Sequence, residues 1–134
     1  PHTLAEKASS VPPPGVPGLE TTVPLLLAAV EQGRLQYERM LELVHDAPLR
    51  VYGLAAPQDS RVLLDLSEGM YTLPGRGYHT RCQWSPFEGC VAMGRVSSVR
   101  VRGQMVWKDG ELLVTPGSGL PLRRVGQAAG PPKG

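Results

Sequence analysis

The sequence predicts an α/β chain in which helices come first and strands follow. Two features predict the helices: the apolar run TTVPLLLAAV from residue 21, and an apolar stripe at i, i+3, i+4 and i+7 that starts at Tyr37. The strands are predicted by apolar and polar residues that alternate between 91 and 102, and by an Asp-Gly pair at 109–110, which is typical of a two-residue hairpin turn.

The first helix is expected from Thr21 or Thr22 to Gln32. One of the two threonines would be its N-cap, Pro24 is tolerated in the first turn, and Gly33 supplies the C-terminal stop. Because this helix is apolar almost all round, we expect it to need cover on more than one side and to belong to a larger body.

The next segments are shorter. A second helix is expected over residues 36–45 and a third over 48–52, which Gly53 would stop. Residues 61–66 (RVLLDL) predict a strand, and the glycines after it predict a long loop over 67–81.

A strand and a hairpin are the last regular structure that the sequence predicts. A half-buried strand is expected over 91–102, followed by a hairpin in which 104–107 pairs with 111–114. Residues 116–134 show no periodicity and are rich in proline and glycine, which is typical of an interdomain linker.

Composition limits the possible functions. The 134 residues are enough for one domain with a core, but 16 Gly and 14 Pro indicate a less self-contained chain. The net charge of +2 is too small to indicate nucleic-acid binding, and no apolar run is long enough to span a membrane. The two cysteines are expected to be reduced thiols of a cytoplasmic protein.

The stretch from Pro12 to Glu20, PPPGVPGLE, is the first candidate for a functional loop. Three consecutive prolines fix the backbone and remove three N–H donors, so this segment is neither a helix interior nor a central strand. A stiff loop that leads into a helix can present groups to a ligand, although the same composition is typical of a surface linker.

Three motifs carry a resemblance to a known family. PHTLAEK at 1–7, PPPGVPGLETTVPLLL at 12–27 and WSPFEG at 84–89 are together similar to the C-terminal part of dihydroorotases, cyclic amidohydrolases of pyrimidine synthesis. The similarity covers about residues 1–119 and is greatest to the form within the multifunctional pyrimidine-synthesis polypeptide of animals.

The resemblance implies a fold in which this chain is the C-terminal fragment of a (β/α)8 metal-dependent amidohydrolase barrel. Residues 1–58 would form the last barrel unit, with the substrate loop and the final helices. Residues 59–115 would be strands of a small composite β-sheet domain, and 116–134 a linker.

The resemblance also implies substrate-binding residues. His2 matches a histidine that helps to hold the substrate's carboxylate, although a histidine beside a proline is otherwise more typical of a surface. Pro14, with Gly15 beside it, matches a second substrate-contacting position. Since proline has no N–H, Pro14 can offer only its carbonyl oxygen, which would accept a hydrogen bond from a ring N–H.

A binuclear zinc centre is the cofactor that the resemblance implies. Its His-x-His pair, its other ligands and the catalytic aspartate have no match between residues 1 and 134, so they are expected upstream, and the fragment alone is expected to be inactive. A rival metal site made of His79, Cys82 and Cys90 is disfavoured, because it has three candidate ligands, no CxxC pair and no clear fourth ligand.

The parent enzyme would thus interconvert N-carbamoyl-L-aspartate and dihydroorotate. Its expected partners are the rest of the barrel, further copies in a homo-oligomer, and carbamoyl-phosphate synthetase and aspartate transcarbamoylase domains. The alternatives are a dihydropyrimidinase, hydantoinase or allantoinase, or a non-catalytic scaffold for a transcarbamoylase. An independent interaction module is disfavoured by the all-round apolar first helix.

Overall fold

A computed structural model of the chain describes residues 2–122, 125 and 126. Its helices all lie in the first half, as predicted. A short helix precedes the apolar helix, and after the apolar helix three helical segments follow one another without a break. The segments are α1 (Leu4–Lys7), α2 (Thr22–Glu31), α3 (Tyr37–Leu41), a π-helical segment (Glu42–Asp46) and α4 (Ala47–Tyr52).

The α2 helix confirms the strongest helical prediction, and Thr21 is its N-cap residue, but no side-chain capping bond forms. The hydroxyl of Thr21 accepts no hydrogen bond from the first turn. It instead donates to the carbonyl of Gly18 at 3.2 Å, and the hydroxyl of Thr22 donates to the same carbonyl at 2.7 Å. Because Thr21 is only 1% exposed, its hydroxyl needs such a partner, and the half-buried Gly18 offers its carbonyl one turn back.

The second and third predicted helices are joined. The π-helical segment stands directly before the turn that contains Pro48, where a regular α-helix would bring the proline ring against the carbonyl of the residue four positions earlier. The wider π turn accommodates the proline without ending the helix. The predicted stop at Gly53 is confirmed, since this residue caps α4 in the left-handed conformation with φ 62°.

Four strands form one sheet in the order β1-β2-β3-β4. The predicted strand at 61–66 extends six residues further, and this part of the predicted loop over 67–81 was wrong. The polar, glycine-containing composition of residues 67–72 indicated a loop, but hydrogen bonds to the neighbouring strand keep it extended. The strands are β1 (Arg61–Thr72), β2 (Val91–Val101), β3 (Gln104–Lys108) and β4 (Glu111–Leu112).

Two tight turns join the last three strands. The predicted hairpin at Asp109-Gly110 is confirmed, with φ 47° and 91° and antiparallel pairing on either side. A second turn of the same kind at Arg102-Gly103 joins β2 to β3, with φ 49° and 80°. Positive φ at both central residues is the geometry of a type I′ turn. The second turn was missed because arginine is not a typical residue for it.

The chain divides into two compact units. The first comprises Pro1–Tyr37 and Asp65–Arg95, and the second comprises Glu38–Leu64 and Val96–Gly134. The division predicted from the sequence, with boundaries after 58 and 115, stays a prediction. The predicted linker over 116–134 lies partly outside the described residues. Within the described part, no helix is long and apolar enough to cross a bilayer.

The buried core of the first unit is small. It includes Thr21 and Ser85 and a set of apolar side chains from α2, the sheet and the loop between β1 and β2. Many large apolar side chains remain exposed. Five apolar residues of α2 are only half-buried, namely Val23, Leu25, Leu26, Ala29 and Val30. The buried apolar residues of this unit are Pro24, Leu27, Ala28, Leu73, Trp84 and Ala92.

Candidate functional site

An open hollow of about 260 Å³ lies in the first unit and contains all three residues predicted to bind substrate. Small-molecule sites usually have volumes of about 300 to 1,000 Å³, so this hollow is large enough for one end of a small ligand. One wall comes from the proline-rich loop and the other from the loop between β1 and β2. The lining residues are His2, Pro14, Gly15, Val16, Pro17, Thr80 and Cys82.

The backbone of His2 is fixed by a tertiary hydrogen bond and by the helix cap that follows it. Its carbonyl oxygen accepts a hydrogen bond of 2.7 Å from the indole N–H of Trp84, which is 7% exposed. Immediately after it, Thr3 and Glu6 form a capping box: the Thr3 hydroxyl accepts from the N–H of Glu6 at 3.2 Å, and the Glu6 carboxylate accepts from the N–H of Thr3 at 2.6 Å. The half-buried imidazole of His2 is therefore carried by a well-anchored segment.

Hydrogen bonds to the threonine also act on the carboxyl group of Glu6. The backbone N–H of Thr3, followed by its hydroxyl, stabilises the carboxylate and lowers the pKa of Glu6 from its ordinary value of 4.5. The charge of Glu6 at neutral pH thus contributes to the same cap that follows His2.

The proline-rich wall is held by Lys7. The ammonium group of Lys7 donates a hydrogen bond to the carbonyl of Pro13, next to the predicted acceptor. Within the described part of the chain, no hydrogen bond reaches the carbonyl oxygen of Pro14 itself. This oxygen can therefore accept a hydrogen bond from a ligand, whereas that of Pro13 is already engaged.

The opposite wall depends on a carboxylate that the sequence did not identify. One oxygen of Glu20 accepts from the backbone N–H of His79 at 3.0 Å, and the other accepts from that of Thr80 at 2.8 Å. The sequence analysis assigned no role to Glu20. No local signal could have shown these bonds, because the donors are backbone groups 59 and 60 residues away.

Two further contacts fix Thr80 and the end of this wall. The hydroxyl of Thr80 lies 3.2 Å from the sulfur of Cys82, and its carbonyl accepts a hydrogen bond from the N–H of Gln83 at 2.9 Å. Both side chains that line the hollow from this side are half-buried. The wall therefore offers a hydroxyl and a thiol at defined positions.

The rival metal site is not formed. Cys82 and Cys90 are both free thiols, and no group of three or more His, Cys, Asp or Glu side chains among residues 2–122, 125 and 126 could hold a metal ion. Among the residues that the structure describes, no such group supplies the donors that a pair of zinc ions needs.

Curated proteins with similar sequences include two that match most of the chain. Multifunctional protein pyr1-3 of Dictyostelium discoideum is 42% identical over 123 residues, which is 92% of this chain and 6% of that protein. A dihydroorotase of Halobacterium salinarum is 40% identical over 119 residues, which is 83% of this chain and 28% of that enzyme. The chain is related to the dihydroorotases. The resemblance predicted from the three motifs is thus confirmed, and no protein-family model matches the chain.

Solved structures agree with this relationship. The inactive dihydroorotase-like domain of a Chaetomium thermophilum CAD-like multifunctional protein matches 68% of this chain with 31% identity and a TM-score of 0.54. The L-hydantoinase of Arthrobacter aurescens matches 82% with 28% identity and a TM-score of 0.66. The chain covers 25% and 26% of these two structures, so it spans about a quarter of the length of each.

Proposed function

We propose that this chain is the part of a dihydroorotase that binds the acidic end of the substrate. The observation that carries the proposal is that His2, Pro14 and Gly15 line one hollow in a chain 40% identical to a dihydroorotase. The parent enzyme interconverts N-carbamoyl-L-aspartate and dihydroorotate by forming and hydrolysing a cyclic amide.

Each predicted residue has a role that its chemistry allows. The imidazole of His2 donates a hydrogen bond to the carboxylate of the substrate, and its strength increases when the ring is protonated. The carbonyl oxygen of Pro14 accepts from a ring N–H of dihydroorotate, and Gly15 leaves room for the ring to approach. The hollow thus binds and orients the substrate, while the bond-making groups come from another part of the parent.

The remaining parts of the proposal concern the whole protein. Residues 1–58 belong to the last unit of a (β/α)8 barrel, residues 59–115 to a small composite sheet domain and residues 116–134 to a linker. A binuclear zinc centre, held by chain outside these residues, supplies Lewis-acid chemistry when bound. The parent is a cytoplasmic homo-oligomer joined to carbamoyl-phosphate synthetase and aspartate transcarbamoylase domains.

A second candidate function is a non-catalytic scaffold for a transcarbamoylase. The observation that favours it is the 31% identity to a domain described as inactive. The sequence upstream of Pro1 separates the two candidates: a His-x-His pair and an Asp-His-Ala segment favour the enzyme, and their absence favours the scaffold. The 28% identity to a hydantoinase is lower than that to the dihydroorotases, so a hydantoinase is not proposed.

The decisive experiment compares His2→Ala with His45→Ala in the intact parent. His45 is exposed and lies 2.7 Å from Asp46 in the π-helical segment of the second unit, so it is a matched histidine control. We expect His2→Ala to raise the KM for dihydroorotate by roughly 10- to 100-fold, since a hydrogen bond to a charged group contributes about 1.5–3 kcal/mol. An unchanged KM in both variants contradicts the proposed role of His2.

A further variant tests the role of the proline carbonyl. Pro14→Ala keeps a carbonyl oxygen at this position, so we expect a KM within about threefold of the parent's, with any loss arising from a more flexible loop. A loss as large as that in His2→Ala would show that the proline ring, and not its carbonyl, makes the contact.

A further inference from the structure

We propose that Glu20 is a positioning residue for the substrate hollow, and that it sets the place of the Thr80 hydroxyl as an additional contact for the bound acid. The inference rests on the proposed function, because it takes the ligand to be a small acid held by His2. It goes further by assigning roles to Glu20 and Thr80, to which the resemblance gave none.

Glu20 connects the two walls of the hollow. It follows the proline-rich wall by a few residues in the chain, five positions after Gly15. Its two carboxylate oxygens accept from the consecutive N–H groups of His79 and Thr80, one bond each. A single side chain just after the proline-rich wall therefore binds the backbone of the other wall at two adjacent N–H groups, which fixes the orientation of the peptide between them.

One of these two hydrogen bonds holds Thr80, which lines the hollow. Thr80 lines the hollow, whereas Glu20 does not, so the carboxylate acts through Thr80 and does not touch the ligand. The Thr80 hydroxyl can donate to a carboxylate oxygen of a ligand in the hollow that His2 also lines. With Glu20 in place, that hydroxyl is presented at one position; without it, the loop can move and the donor becomes mobile.

Because Glu20 is exposed, its hydrogen bonds are expected to position the loop while contributing little to the stability of the protein. Its hydrogen bonds are solvent-exposed, and exposed charged groups contribute little to folding free energy because water competes for them. Trp84, Ser85 and Leu73 keep the same loop attached to the core when the carboxylate is lost. We therefore expect substitutions of Glu20 to alter the geometry of the hollow much more than the stability of the protein.

The kinetic test uses the intact parent with Glu20→Ala, Glu20→Gln and the control Glu31→Ala, which removes another exposed glutamate of the first unit. Since a displaced Thr80 hydroxyl weakens the binding of substrate and transition state alike, Glu20→Ala is expected to raise the KM for dihydroorotate about fivefold, as much as loss of that hydroxyl, with kcat within twofold. Glu20→Gln keeps one acceptor oxygen and is expected to raise it about threefold. Glu31→Ala should leave it unchanged.

The contact itself is tested at Thr80. Thr80→Val removes the hydroxyl with little change of shape and is expected to raise the KM about fivefold, whereas Thr80→Ser, which keeps the hydroxyl, should restore most of the affinity. An equal KM for the valine and serine variants overturns the hydroxyl contact.

The alkylation rate of Cys82 is a second measurement, which reports on the wall formed by the loop between β1 and β2. Cys82 lines the hollow, and Cys90 is an exposed thiol in the same unit that does not line it. In the parent, dihydroorotate is expected to slow alkylation of Cys82 by iodoacetamide several-fold and to leave Cys90 unaffected, as peptide mass spectrometry measures. In Glu20→Ala, Cys82 should react several-fold faster without ligand and be protected less by it.

The outcomes distinguish the two proposals. A raised KM for dihydroorotate and faster alkylation of Cys82 in Glu20→Ala, with both quantities unchanged in Glu31→Ala, support the inference. An unchanged KM, or a raised KM with an unchanged rate at Cys82, overturns it while substrate protection of Cys82 keeps the proposed function. No protection of Cys82 in the parent, together with an activity insensitive to His2→Ala, overturns both. If Glu20→Ala does not fold, Glu20→Gln decides by the same criteria.

Discussion

The indole nitrogen of Trp84 donates a hydrogen bond of 2.7 Å to the backbone carbonyl of His2, 82 residues away in the chain. The ring is 7% exposed, so its N–H has lost most contact with water and needs an acceptor. This bond attaches the predicted carboxylate-binding residue to the core of the first unit. The chain segment that bears His2 is therefore anchored by tertiary structure as well as by the cap of α1.

Trp84→Phe is expected to weaken both the fold and the site. The substitution removes the donor and leaves the carbonyl of His2 without its partner, so we expect the free energy of unfolding to fall by about 2 kcal/mol. Denaturant titration of the parent measures this change, and the KM for dihydroorotate should rise with it. Tyr52→Phe, at a side chain that is 67% exposed, is the control and should change neither quantity. Equal stability of Trp84→Phe and the control would contradict the prediction.

A buried glycine in β2 is the position most sensitive to a small substitution. Gly94 has φ +78°, and a Cβ placed on it would lie 2.9 Å from Cδ2 of Leu66 and 3.0 Å from Cδ1 of Leu27. Gly94→Ala therefore combines an unfavourable backbone conformation with a clash in the core, and is expected to lower the free energy of unfolding by about 2–4 kcal/mol.

The control for this prediction is Gly119→Ala. No atom lies within 4 Å of a Cβ added at Gly119, and its φ is not in the left-handed region. We expect its stability to be within about 0.5 kcal/mol of the parent's. Thermal unfolding of the two variants measures the difference, and a Gly94→Ala variant as stable as Gly119→Ala would show that Leu27 and Leu66 move aside at little cost.

Much of the fold could be predicted because its signals are local. The alternation of β2 repeats with the period of a strand, and the apolar run of α2 lies between a threonine cap and the stop at Gly33. The turn at 109–110 has its own sequence signature. The extension of β1 beyond residue 66 had no such signal, because the strand there is fixed by bonds to its neighbour and not by its composition.

The candidate site was predictable only where a motif carried it. His2 and Pro14 came from the resemblance, and the structure places them on one hollow. The supporting contacts of Trp84 and Glu20 were missed, because each joins a side chain to backbone groups far away in the chain. Backbone donors and acceptors occur in nearly every residue, so no pattern of letters indicates which of them meet in the fold.

The cap after His2 gives a prediction for pH dependence. The pKa of Glu6 is lowered in the folded chain, chiefly by the backbone N–H of Thr3, so the carboxylate's contribution to the fold is fully present above the unfolded value of 4.5. It is lost as pH falls below 4.5 and through the folded pKa. A titration of the Glu6 carboxyl by NMR should show a midpoint below 4.5.

Removing the hydroxyl tests the cause of this shift. Thr3→Ala is expected to move the midpoint of Glu6 part of the way back to 4.5, because the side-chain hydrogen bond is lost while the backbone N–H remains. Thr115→Ala, an exposed threonine of the second unit, is the control and should leave the titration of Glu6 as it is. A Glu6 midpoint that is the same in the parent and in Thr3→Ala would assign the shift to the backbone alone.

The exposed apolar surface gives a prediction for the isolated chain. Leu19 is 100% exposed, Val11 82% and Val51 72%, and apolar side chains in this number are typical of surfaces that other chain covers. Residues 1–134 expressed alone are therefore expected to bind a hydrophobic dye and to associate as concentration rises, which light scattering measures. The double variant Val51→Lys and Leu19→Lys should reduce association, whereas Lys108→Arg, a charged surface control, should not. A monomeric chain that unfolds cooperatively and binds no dye would contradict the prediction and favour an independent interaction module.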